Sequence, residues 1–235
     1  MKTLLKVQNL SYKYPENSIN ALDGVSFEIN HGEKIALVGA NGSGKSTLLL
    51  ILAGAMKETS GKIFFDDSDD TDLRIKKTGL IFQDADDQIL MPSVIEDVAF
   101  SPVADGMKVD EAHELAMKIL KSLKIEHLAS RVPHKLSGGE KRMVTFAGTL
   151  AASPELLLLD EPTAALDPAG QRRVIKFLKE TKTAFLLATH DLEMAREVCR
   201  YALIMSHGKI DAQGNLPELF DDEKLLARNN LAAFD

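Results

Sequence analysis

The sequence predicts an α/β protein built on a mostly parallel sheet and interrupted by a helical insert. Three observations carry this. The short apolar runs Lys34 to Val38, Leu156 to Leu159 and Ala184 to Thr189 have strand length, and helix-forming stretches follow them. A Gly-rich loop joins the first of these runs to an apolar helix that begins near Ser46. Between the first run and the second lies a long stretch of helical spacing.

In chain order, the opening stretch reads as β. Leu4 to Leu10 and Val25 to Ile29 alternate or run apolar, with the turn residues Pro15, Glu16 and Asn17 between them. Lys62 to Phe65 and Gly79 to Phe82 are further strand candidates. Val94 to Phe100 and Val109 to Leu123 are helical, and Ala112, Leu115, Ala116, Ile119, Leu120 and Leu123 share one face. A third helix is expected near Ser137. The insert spans roughly Gln88 to Lys135, and with that third helix it forms a helical subdomain of about 88–150. Leu156 to Leu159 has no polar position, as in a central parallel strand buried on both faces. Helices at Gln171 to Thr181 and Leu192 to Cys199 flank the Ala184 strand. Tyr201 to Met205 and Lys209 to Asp211 read as a closing hairpin, and a short polar-helical tail runs over 216–235. The chain reads as one domain over 1–235.

Bulk properties narrow the class. The chain has 235 residues, 45% hydrophobic and 27% charged, enough to bury a sizeable core. A net charge of −7 with no basic block argues against a nucleic-acid groove and against attachment to anionic lipid. The longest apolar run, Leu48 to Met56, falls short of the about 20 residues that a spanning helix needs. MKTLLKVQNL lacks the apolar core of a signal peptide, and the single Cys199 rules out an internal disulfide. The expectation is a cytoplasmic protein whose link to any membrane runs through a partner.

Gly39-Ala40-Asn41-Gly42-Ser43-Gly44-Lys45-Ser46 matches G-x-x-x-x-G-K-[ST] between a strand and a helix. Its glycines let backbone N–H groups curl around phosphate oxygens, and the following helix points its positive end at them. Lys45 supplies charge to the β- and γ-phosphates and Ser46 offers a hydroxyl to Mg²⁺. Thr47 completes the nucleotide-binding candidates. Asp160-Glu161 end a buried strand, at the sheet edge where open α/β folds bind ligands. Asp160 suits Mg²⁺ held through its water shell, and Glu161 suits a general base on a water aimed at the γ-phosphate.

Leu136-Ser137-Gly138-Gly139-Glu140 narrows the class further. Ser137 reads as an N-cap with Glu140 three residues on, a capping box. The paired glycines leave N–H groups bare for an anion. This LSGGE closely resembles the LSGGQ signature of ABC ATPases, and the resemblance covers essentially the whole chain.

That resemblance implies a P-loop NTPase of the ABC-ATPase fold. It has a mostly parallel core sheet, an N-terminal antiparallel β subdomain and a helical insert, and takes ATP and Mg²⁺ as cofactors. It makes Tyr14 the ring that stacks on adenine, with Tyr12 the second candidate. It makes Gln83 the glutamine that senses Mg²⁺ and the attacking water, Ala165-Leu166-Asp167 the D-loop, and His190 the switch histidine at the γ-phosphate. Ser137, Gly138, Gly139 and Glu140 then cap ATP held on a second ATPase subunit, a homodimer being favoured over a heterodimer. Two positions depart from the pattern: Glu140 replaces Gln, and Ala164 stands where Ser is frequent, which removes a hydroxyl near the D-loop.

The segment Gln83-Asp84-Ala85-Asp86-Asp87-Gln88, followed by Val94 to Pro102, resembles the energy-coupling-factor ATPases of micronutrient importers. That group implies a groove beside Gln83 for a helix of a membrane T-component, and peripheral attachment at the cytoplasmic face of the cell membrane. Cobalt or nickel is the favoured solute and a vitamin the next. A soluble ABC ATPase of repair, translation or cofactor assembly is the alternative. Repair members split the motifs with a long coiled coil and translation members usually carry two cassettes; neither is present. The acidic run Asp66 to Asp72 lacks calcium-loop spacing and reads as a solvated loop, and Cys199 as inert packing. His207 reads as a turn residue, and His113 and His127 receive no role.

Overall fold

The computed structural model describes residues 2–15 and 19–231. Of the expected turn at Pro15, Glu16 and Asn17, the last two lie outside the described residues, as do residues 232–235 of the tail. Two compact units form. One comprises Met1–Leu80, Glu155–Glu161 and Lys182–Asp235; the other comprises Ile81–Pro154 and Pro162–Thr181.

The first unit contains two sheets. β1 (Thr3–Tyr12) and β2 (Leu22–Asn30) pair with β4 (Ser60–Phe65) in the antiparallel order β2-β1-β4. The larger sheet has six strands: β3 (Lys34–Val38), β5 (Thr78–Ile81), β6 (Leu156–Asp160), β7 (Ala184–Thr189), β8 (Tyr201–Ser206) and β9 (Lys209–Asn215), in the order β5-β6-β7-β3-β8-β9. β3 runs parallel to β7 and β8, and β6 parallel to β7, while β9 closes the sheet as an antiparallel hairpin. The four leucines of β6 and all of β7 are buried, because a parallel strand covered on both faces has no solvent side. Leucines and isoleucines of both sheets share one core with the helix α1 (Lys45–Leu52).

Register positions the site. Val38 lies opposite Thr189, and Asp160 opposite Ala188. The residues that follow β3, β6 and β7 therefore leave the sheet at the same edge.

One helix of this unit is not apparent in the sequence. α2 (Thr71–Lys77) grows out of the acidic run, whose Asp70 side chain accepts from the N–H groups of Asp72 and Leu73. Asp66 meets Lys2 at 2.6 Å and His31 at 3.0 Å, so part of the expected solvated loop is a cap and part an ion-pair cluster. Buried Arg74 of α2 donates to the carbonyls of Ile51 and Leu52 at the end of α1. α7 (Leu192–Val198), α8 (Leu216–Phe220) and α9 (Glu223–Arg228) complete the unit.

The helical unit contains α3 (Val94–Ala104), α4 (Val109–Ser122), α5 (Gly138–Ala151) and α6 (Pro168–Glu180). α3 runs past the expected end at Phe100 and accommodates buried Pro102 in its last turn. α4 buries Ala112, Ala116 and Leu120, the i, i+4 stripe of its apolar face. This unit is wider than the expected 88–150. α6 joins it because Phe146 packs on Phe177 at 4.8 Å and the backbones approach where a Gly139 Cβ would lie 3.3 Å from Gly170 Cα. Among the described residues no helix is long and apolar enough to cross a membrane.

Candidate active site

The loop after β3 is shaped for an anion. A Cβ on Gly39 would lie 2.3 Å from the Met205 carbonyl oxygen and 2.6 Å from Ser43 Oγ, so no larger residue fits. Gly44 precedes α1 at φ 106°, a conformation that only glycine adopts freely. Lys45 Nζ turns back into the loop and donates to the Gly39 and Ala40 carbonyls at 2.7 and 3.1 Å. Burial holds the Lys45 ammonium below its ordinary pKa, against the raising pull of the Glu161 and Asp160 charges. Ser43 Oγ is buried and has no hydrogen-bond partner. An orphaned hydroxyl and a buried cation at the N-terminal end of α1 suit phosphate oxygens.

Asp160 ends β6, and its carboxylate accepts from the Ser46 hydroxyl. Burial raises its pKa, and that hydrogen bond opposes the rise. An oxygen pair from Ser46 and Asp160 is the donor set that a hard divalent cation such as Mg²⁺ takes, so these residues fit the metal.

Glu161 is only 8% exposed and sits at φ 43°, an uncommon position for a non-glycine residue. Its carboxylate accepts from Thr189 Oγ1 at 3.0 Å, the His190 backbone N–H at 2.9 Å and His190 Nδ1 at 2.7 Å. An ionised carboxylate only accepts, so Nδ1 carries the ring proton. Nε2 of the largely exposed ring is then left for another partner. Thr189 received no role from the sequence; fully buried, it ties Glu161 to the Asp191 N–H. Its position directly before His190 is the only signal the sequence offers.

Tyr14 and Tyr12 meet edge to face at 4.9 Å. Tyr12 packs on the core, whereas the half-buried Tyr14 places its hydroxyl 3.1 Å from Thr47 Oγ1 in α1. The first unit therefore gathers Tyr14, residues 39–47, Asp160, Glu161 and His190.

The helical unit holds the remaining candidates. Gln83 follows β5 with an exposed side chain. The capping box forms: Ser137 Oγ accepts from the Glu140 N–H at 3.4 Å, and the Glu140 carboxylate accepts from the Ser137 N–H at 2.8 Å. The Ser137 N–H and the Ser137 hydroxyl, both donating to it, hold the Glu140 carboxyl below the usual range. Gly138 lies against Leu166, and Gly139 against Asp167, which caps α6 through the Gly170 N–H at 2.8 Å. Leu166 and Asp167 thus meet the signature glycines. Cys199 is buried, which pushes its thiol up to about 12 and leaves it inert.

Residues 22–164 match the family model described as ABC transporter. The chain is 37% identical over 237 residues to the energy-coupling factor transporter ATP-binding protein EcfA of Methanothermobacter thermautotrophicus, covering 97% of this chain and 76% of that protein. The solved structure of cbiO1 from Clostridium perfringens, part of the ABC transporter complex cbiONQ, is 36% identical with a TM-score of 0.84, over 98% of this chain and 96% of that one. A dimeric post-hydrolysis state of the ATP-binding cassette MJ0796, bound to ADP and Pi, is 29% identical with a TM-score of 0.80, over 91% and 99%.

Proposed function

The chain belongs to the ATP-binding family of ABC transporters, whose members hydrolyse ATP with Mg²⁺ and pair as dimers with a membrane component, and from that premise we propose that it is the motor subunit of an energy-coupling-factor-type importer. The observation that carries the motor role is its set of complementary half-sites. One phosphate loop lies in one compact unit and one signature helix start, Ser137-Gly138-Gly139, in the other. A head-to-tail pair of subunits gives each ATP a loop beneath it and a signature above it. ATP then bridges the subunits, and loss of the γ-phosphate removes the bridge.

Each candidate residue has a part in this scheme. Tyr14 stacks on adenine. Residues 39–47 bind the phosphates, with Lys45 leaving its carbonyl contacts for the β- and γ-oxygens. Ser46 and Asp160 would hold Mg²⁺, which when bound supplies Lewis-acid stabilisation to the phosphates, and Gln83 keeps the role of sensing Mg²⁺ and the attacking water that the family resemblance implies. Glu161 takes a proton from the attacking water, held in place by Thr189 and His190. His190 Nε2 meets the γ-phosphate. The whole of 1–235 serves as one ATPase domain.

The importer assignment rests on Gln83 to Pro102 and on exposed apolar side chains in the helical unit. Leu90 is 74% exposed, and Phe100 and Val103 follow one turn apart on α3. These suit the helix of a T-component, which holds the subunit at the cytoplasmic face of the membrane without insertion. Cobalt or nickel is the favoured solute, a vitamin the next. Affinity purification of the chain from native membranes tests the assignment. Recovery with a polytopic membrane protein is expected; recovery only with ribosomes or a soluble scaffold would overturn it.

A further inference from the structure

The stretch between β5 and α3 has no regular secondary structure, yet side chains from three places fix it. Within it, the Gln88 N–H donates to the Ala85 carbonyl at 3.2 Å. At its start, the Phe82 N–H donates to Gln88 Oε1 at 2.9 Å. On the carbonyl side, Arg142 of α5 donates from one terminal nitrogen to Phe82 and from the other to Gln83. Further along, Lys141 pairs with Asp86 at 2.6 Å, and half-buried Asp97 of α3 accepts from the N–H groups of Leu90 and Met91 at 2.8 and 3.1 Å.

Arg142 is the unusual member. It is 2% exposed, the largest fully buried side chain among the described residues, and its Nε has no partner. Burying a guanidinium with an unsatisfied donor is costly, and an apolar residue would cap the same interior more cheaply. What an apolar residue cannot do is reach two successive carbonyls with one rigid fork.

We propose that Arg142 and Gln88 are positioning residues for hydrolysis: together they grip the Phe82–Gln83 backbone from its N–H and carbonyl sides and fix the Gln83 side chain relative to the signature helix. Arg142 stands five residues beyond Ser137 on the same helix, so a shift of that helix start is carried to Gln83 without slack. Neither residue belongs to the phosphate loop or to the signature glycines. They act through Gln83 alone, and the inference rests on the role given to Gln83 above.

The test is steady-state hydrolysis of Mg-ATP by the full chain, with kcat and KM separated and the thermal midpoint followed. Gln83→Ala is the control for the underlying role. Arg142→Lys keeps the charge but loses the fork, and Gln88→Ala loses the acceptor at a half-buried site that tolerates truncation. Each is expected to lower kcat about tenfold with KM within about twofold, the mark of a misplaced group rather than a lost binding contact. Gln88→Glu keeps an acceptor oxygen and should restore most of the loss. The double variant Arg142→Lys/Gln88→Ala should be no slower than the worse single one, because both changes free the same peptide. Normal kcat in Gln88→Ala and Arg142→Lys, alongside a slow Gln83→Ala, would overturn the positioning role while sparing that of Gln83. Multiplying losses in the double variant would also overturn it. A fully active Gln83→Ala would remove both. If Arg142→Lys does not fold, the contrast between Gln88→Ala and Gln88→Glu decides the question.

Discussion

In the first unit the candidate groups stand at the ends of buried strands; in the helical unit they lie on exposed backbone pinned by side chains. The loop 39–44 and His190 follow β3 and β7, and Asp160 ends β6; the ladders and burial of these strands set their positions. Gln83 and Ser137 to Glu140 have no such ladder, and depend on Arg142, Gln88 and a capping box. A sheet edge suits chemistry that demands fixed atoms. A helix start held by a few hydrogen bonds suits a surface that engages and releases a partner.

The comparison can be broken where each unit is most dependent. Phe146→Ala removes the ring that joins α5 to α6. It should destabilise the helical unit by about 3–5 kcal/mol. Hydrogen exchange should show protection lost in α5 and α6 and kept in β3 and β6; equal loss in the strands would mean that the two units do not differ in this way. Lys45→Ala should weaken ATP binding on the order of a hundredfold by removing a charged donor from the phosphates, measured by nucleotide titration. Retained affinity would take Lys45 out of the site. Ser137→Ala should be smallest, costing about 1 kcal/mol of stability through the lost cap. ATP affinity of the isolated subunit should not change, because in the proposed pair the signature acts on a partner's nucleotide. A weaker Kd in that variant would erase the division between the units.

The same division explains what the sequence disclosed. β3, β6 and β7 are continuous apolar runs, and the phosphate loop is a local pattern, so both are legible without the fold. The edge they share follows from parallel alternation alone. The helical unit was less legible. Arg142 receives no role from the sequence, because its partners lie 60 and 59 residues earlier in the chain. Gln88 belonged to a resemblance and not to a contact. α2 was hidden because Asp70 and its neighbours look like a solvated run until one of them is seen to cap a helix. α6 joined the helical unit through Phe177 and Gly170, contacts across chain segments that periodicity does not encode.

The most direct test of the account is the oligomeric state of Glu161→Gln, which removes the proposed base but keeps the hydrogen-bonding shape. Light scattering coupled to size exclusion should find it dimeric with Mg-ATP and monomeric with Mg-ADP, with turnover reduced by about 10²–10⁴-fold. A variant that binds ATP, fails to hydrolyse it and stays monomeric would contradict an ATP-bridged pair. A variant with normal turnover would contradict the role of Glu161 itself.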